Sequence, residues 1–181
     1  MDSFATGRQL SGQGLALSGG GYRASLFHLG VARRLHELGI LQQITRLSSV
    51  SGGSILAGFL AHRMLERDST RLAFDDWEAE VSAPFRRLTR KDIRTGLLVR
   101  HIAWNWIWPA PRARGLEKAF RKRIGARRLV ELPGKADDSI EFIFLATNIE
   151  KGTPWRFTAE KIGTYSTPES MTIAEAVAAS A

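Results

Sequence analysis

The sequence predicts an α/β fold, a three-layer α/β/α arrangement around a parallel or mixed central sheet. Three observations predict it. Residues 14–66 twice repeat one unit: a short apolar run, a turn of small residues, then apolar positions at helical spacing. A second strand signal, Ile140 to Thr147, carries Ile140, Phe142, Ile143, Phe144 and Leu145, and a turn and a return strand follow it. The chain has 181 residues, 44% of them apolar, enough for one domain with a real core.

Residues 1–13 are polar and are expected to form a flexible leader, with the domain spanning 14–181. The leader lacks the basic start and apolar core of a secretory signal. Leu15, Ala16 and Leu17 make the first strand, and Ser18, Gly19, Gly20, Gly21, Tyr22 and Arg23 follow it. A helix comes next, with Leu26, Leu29, Val31, Leu35 and Leu38 apolar, Arg33, Arg34 and Glu37 polar, and Gly39 placed to cap its end. Ile44 to Val50 is the second strand, broken by Thr45 and Arg46. A turn, Ser51-Gly52-Gly53-Ser54, leads into a helical pattern of Ile55, Leu56, Phe59, Leu60 and Met64. Two strands joined by a helix pair in parallel, which brings both turns to the carboxyl edge of the sheet, where open α/β sheets bind ligands.

Between 67 and 139 the signals are weaker. Asp75, Asp76 and Glu78 sit where a helix can begin, with Pro84 on it or just after. Trp104, Trp106 and Trp108 alternate between Arg94 and Arg100 on one side and Arg112 and Arg114 on the other. Tryptophan beside arginine suits a membrane interface, although a core segment followed by a basic loop has the same composition. Residues 115–130 read as a basic amphipathic helix, and Asp137-Asp138 lie in a solvated turn. Met171 to Ala181 is a helix of small residues.

Composition narrows the chemistry. There is no cysteine, so disulfides, cysteine-based zinc sites and a thiol nucleophile are excluded. No window of about 18 uninterrupted apolar residues occurs, so no spanning helix is expected. The formal charge of +8 favours anionic partners such as phospholipid headgroups, though a basic protein with no such partner has the same balance.

The two turns carry the candidate chemistry. A serine between a strand and a helix, with glycine beyond it, is the pattern of a nucleophile elbow. The sharp turn demands small neighbours and lifts the Ser51 hydroxyl to a helix N-terminus. Here the usual G-x-S-x-G reads S-x-S-x-G, with Ser49 in the first glycine's place. Three consecutive glycines, Gly19 to Gly21, let backbone N–H groups converge on one point and stabilise an oxyanion. Both nucleotide-binding glycine patterns fail, because no Lys-Ser or Lys-Thr follows. None of the four histidines follows Ser51 on a late loop, as a Ser-His-Asp triad of this fold class requires, so they read as surface or packing residues.

Together the stretches resemble the patatin-like phospholipases, serine lipid acyl hydrolases with a G-G-G-x-[RK] oxyanion loop and a serine elbow. Gly19-Gly20-Gly21-Tyr22-Arg23 matches the first motif in full, and Ser49-Val50-Ser51-Gly52-Gly53 matches the second except at Ser49. Thr147 to Gly152 and the run Ala-Val-Ala-Ala-Ser-Ala ending at Ala181 are similar to later family segments. The resemblance implies Ser51 as nucleophile, an oxyanion hole from Gly19, Gly20, Gly21 and Gly52, and support from Arg23. It implies a Ser-Asp dyad without histidine, no metal and no cofactor. The implied substrates are phospholipids or other acyl-ester lipids, with a peripheral membrane surface as a further partner, a cytoplasmic or membrane-peripheral location and no nucleic acid. The family's base is the aspartate of a D-G-[GA] motif. No Asp-Gly pair occurs in these residues, so the base is expected beyond residue 181 and residues 1–181 alone are expected to turn over little ester. The alternative is a catalytically incomplete patatin-like domain that binds a lipid surface or an anion.

Overall fold

The computed structural model describes residues 12–90, 112–134 and 139–181, without the side chains of 112–116 and 123. Strands β1 (Gln13–Leu17), β2 (Ile44–Val50), β3 (Glu141–Asn148), β4 (Thr153–Phe157), β5 (Lys161–Ile162) and β6 (Tyr165–Ser166) form one sheet in that spatial order. The first three strands are parallel and the remaining pairings antiparallel, so the sheet is mixed. Helices α1 (Gly21–Glu37), α2 (Gly52–Glu66), α3 (Ala83–Arg90), α4 (Arg112–Ile124) and α5 (Ile173–Ser180) flank it.

Helix α2 is the centre of the fold. Every residue from Gly52 to Ala61 is buried, as expected for a helix that is apolar on all sides. It packs on the sheet and against α1, α4 and α5. Gly58 lets α5 come close, since a Cβ there would lie 2.6 Å from Val177 Cγ2. Beneath it, Leu47 of β2 and Phe142 and Phe144 of β3 are at most 1% exposed. In register, Leu17 of β1 stands beside Ser49 of β2, and Val50 stands beside Leu145 of β3. The chain therefore leaves β1 and β2 at neighbouring points on one edge.

The segment before α3 departs from a plain helix for a reason in the sequence. Glu78–Ser82 is a π turn, in which the Ala83 N–H reaches back to the Glu78 carbonyl. Pro84 follows, and it has no N–H for the Glu80 carbonyl four residues back. Arg63 of α2 fills the gap, its Nε donating to the Glu80 carbonyl at 2.9 Å. The helix expected over 115–130 runs instead over Arg112–Ile124. Gly125 stops it at φ 97°, and a Cβ there would overlap the His62 ring. A short 3₁₀ turn, Leu129–Glu131, comes next, and the Ile173 N–H donates to the Arg127 carbonyl at 3.0 Å. Thr172 caps α5: its Oγ1 accepts the Glu175 N–H at 3.2 Å, and Glu175 Oε2 accepts the Thr172 N–H at 2.7 Å.

His62, beneath Gly125, gives the fold a pH dependence. Burial depresses its pKa below the ordinary 6.5; Glu66, 3.4 Å away, opposes this, while Arg127 and Arg63 add to it. Because the folded value lies below the unfolded one, protonation favours the unfolded chain. The stability due to neutral His62 is complete above the unfolded pKa and is lost as pH falls through the folded one. Urea unfolding of His62→Gln should therefore vary less with pH than wild type between about pH 7 and 5. Parallel curves over that window would show that the histidine is not held neutral.

Candidate active site

Ser51 stands between the last residue of β2, Val50, and the first of α2, Gly52. Its backbone is at φ 51°, ψ −117°, a region that non-glycine residues enter only at a cost of about 1–3 kcal/mol. The first turn of α2 helps to hold this conformation. The Ser51 carbonyl accepts the Ser54 N–H at 2.9 Å and the Ile55 N–H at 3.3 Å. The N–H groups of Gly52 and Gly53 open the helix and have no carbonyl behind them within it.

The glycine loop lies directly against this turn. A Cβ on Gly19 would sit 3.3 Å from Ser51 Cβ and 3.9 Å from its Oγ. One on Gly52 would overlap the Gly21 carbonyl oxygen and lie 2.8 Å from its nitrogen. One on Gly53 would overlap the Leu17 carbonyl. The last two are backbone-to-backbone approaches that side chains would prevent. Gly20 caps α1 at φ 134° and Gly21 comes next at φ 63°, so the loop turns as only glycine does easily. The site thus lies at the N-termini of both α1 and α2, and neither has an acidic residue in its first turn. Both helix dipoles favour negative charge there.

Buried hydroxyls tie the parts together. Ser25 of α1, fully buried, donates to the Gly52 carbonyl at 2.6 Å and lies 3.1 Å from the Gly21 carbonyl, which bridges the two turns. Ser49, in the place of the family's glycine, is 2% exposed and hydrogen-bonded to Ser54 Oγ at 3.0 Å. Ser180 of α5 accepts the Ser51 N–H at 3.0 Å, contacts Ser54 Oγ at 2.8 Å and donates to the Leu145 carbonyl at 2.5 Å. His28 of α1 is buried, its Nε2 lying 3.1 Å from the Ser18 carbonyl and 3.2 Å from Ser18 Oγ. These contacts tie the ring to the strand end that feeds the loop. His36 stacks on Trp77 with ring centroids 5.2 Å apart.

The structure brings together Ser51, Gly19, Gly20, Gly21 and Gly52. Arg23 is exposed in the first turn of α1, with no hydrogen bond or ion pair to another described residue. No carboxylate among the described residues hydrogen-bonds to Ser51. Asp137, Asp138, His101 and the tryptophans 104, 106 and 108 lie outside the described residues. No group of three metal-ligating side chains occurs among those described, and no helix among them is long and apolar enough to cross a membrane. Sequence reading missed Ser25, Ser54 and Ser180. The signal was a polar residue set among small or apolar ones on each helix, which marks burial and not a partner.

A model of the patatin-like phospholipase family matches residues 15–181. The chain belongs to this family. The patatin-like phospholipase domain also shares its fold with solved structures of human GIVD cytosolic phospholipase A2. One, in complex with methyl gamma-linolenyl fluorophosphonate, is 16% identical with a TM-score of 0.60, over 92% of this chain and 28% of the other. Another, with that inhibitor and terbium chloride, is 13% identical with a TM-score of 0.60, over 92% and 29%. The domain thus spans under a third of the length of those chains. No curated protein matches it.

The contact between the two turns predicts a sharp contrast. Gly52→Ala should cost about 1–3 kcal/mol in urea unfolding, because the added methyl meets fixed backbone. Gly14→Ala, with nothing within 4 Å of its Cβ, should stay within about 0.5 kcal/mol of wild type. Equal effects at the two positions would contradict the close approach of α2 to the glycine loop.

Proposed function

We propose that the protein is a serine acyl hydrolase that cleaves acyl esters of lipids through an acyl-enzyme on Ser51. The observation that carries this reading is the Ser51 hydroxyl on its strained turn, against a glycine loop and at two helix N-termini. Ser51 Oγ attacks the ester carbonyl carbon as its proton passes to a base. The carbonyl oxygen becomes an oxyanion and takes hydrogen bonds from backbone N–H groups of Gly19 to Gly21 and of Gly52. Collapse expels the alcohol and leaves Ser51 acylated. Water then attacks the same carbonyl, passes through the same oxyanion, and releases the fatty acid and the free serine.

The family resemblance gives the base as an aspartate, and no Asp-Gly pair is present in this sequence to supply it. The family implies a phospholipid or another acyl-ester lipid as substrate. The charge of +8 suits a peripheral, anionic lipid surface, and neither a metal nor a cofactor enters the chemistry. Arg23, exposed beside the loop, adds positive charge near the developing oxyanion. A second reading, a lipid-surface or anion-binding module without turnover, is favoured by one observation: among the described residues, Ser51 has no hydrogen-bonded carboxylate.

A fluorophosphonate probe separates the two, because it reacts with an activated serine. Wild type should form one covalent adduct that mass spectrometry maps to Ser51, and Ser51→Ala should form none. An unlabelled but folded wild type would favour the binding module.

A further inference from the structure

We infer that Ser180 is a positioning residue for the elbow: its hydroxyl takes the Ser51 N–H out of the oxyanion hole and pins the turn to β3. The inference rests on the reading of Ser51 as the nucleophile, and deepens it. Ser180 lies 129 positions from Ser51, at the end of α5. Its Oγ accepts the Ser51 N–H at 3.0 Å and donates to the Leu145 carbonyl at 2.5 Å. Leu145 is where the β2–β3 ladder stops, paired with Val50. Beyond that pair β2 turns sharply, and the Ser180 hydroxyl bridges a donor of the turn and an acceptor of the neighbouring strand.

The hydroxyl does not stand alone. Ser54 Oγ lies 2.8 Å from Ser180 Oγ and 3.0 Å from Ser49 Oγ, and all three serines are at most 8% exposed. The network therefore holds the residue two before Ser51, the residue three after it, and Ser51's own amide. A non-glycine residue at φ 51° persists only when its surroundings determine it, and this network helps to do so through the Ser51 amide and its neighbours in sequence. The consequence for chemistry is specific. With its N–H bound to Ser180, Ser51 contributes only its hydroxyl. The oxyanion must be received by the glycine loop and by the first amides of α2. Removing the Ser180 hydroxyl leaves a part-buried donor and a part-buried acceptor without this partner, and the elbow loses the anchor that orients Oγ.

Two measurements on the 181-residue protein test this, one of them independent of reactivity. Amide hydrogen exchange of Ser51, read by NMR, should accelerate in Ser180→Ala by at least about tenfold more than that of Leu56 in the core of α2. Ser180→Thr, which keeps the hydroxyl, should restore it. The labelling rate of Ser51 by a fluorophosphonate should fall about tenfold or more in Ser180→Ala and recover in Ser180→Thr. Ile173→Val, a core change at the other end of α5, should leave it unchanged. Ser51 exchange that tracks Leu56 in Ser180→Ala overturns the inference, whatever the probe does. So does a Ser180→Ala protein labelled as fast as wild type. If wild type is not labelled at all, the nucleophile reading fails, and the exchange result alone decides whether Ser180 holds the turn.

Discussion

The backbone of Gly52 and Gly53 touches the backbone of Gly21 and Leu17, and the rest of the structure depends on that contact. It requires two helices to begin at nearly the same point. It therefore requires β1 and β2 to end side by side, as the pairing of Leu17 with Ser49 provides. It requires α2 to run into the core without bulk in its first turn, which explains a helix buried from Gly52 to Ala61. It leaves Ser51, the residue between strand and helix, in a conformation that a free chain would avoid. Ser25, on the Gly52 carbonyl, and Ser180, on the Ser51 N–H, help to hold it there.

The same contact decides the electrostatics. Two helix N-termini meet where neither first turn carries an acid. Elsewhere the arginines are largely engaged: Arg46 with Glu141, Arg67 with Asp75 and Glu80, Arg127 and Arg128 with Glu131. The most solvent-exposed of these, Arg67 with Asp75, adds little stability. The pairs occupy carboxylates outside the two first turns, and the field that the two helix N-termini supply at Ser51 comes from backbone dipoles. A site of this kind stabilises an anion. The removal of a proton from Ser51 needs a further group.

Much of this was legible in the sequence. Short apolar runs leading into small residues and helical spacing gave both parallel strands, and the Ile140–Thr147 run gave the third. The serine at position 49 departs from the glycine of the elbow pattern, and the structure gives the reason: its hydroxyl is buried against Ser54. Other features were not legible. The end of α4 at Ile124 is set by the left-handed Gly125 over the His62 ring, a tertiary approach with no local pattern. The π turn before Pro84 depends on Arg63, seventeen positions from Glu80, to satisfy a carbonyl. Ser180 is one serine in a helix of small residues, and nothing in its spacing points to Ser51.

A crystal structure of the protein treated with a methyl alkylfluorophosphonate tests the central claim most directly. The adduct's phosphoryl oxygen imitates the oxyanion of the acyl-transfer intermediate. The account predicts phosphorus bonded to Ser51 Oγ, with that oxygen about 3 Å from backbone nitrogens of Gly19 to Gly21 and of Gly52. The Ser51 nitrogen should remain on Ser180. An adduct on another residue, or an oxygen on Ser51 turned away from the glycine loop, would contradict it.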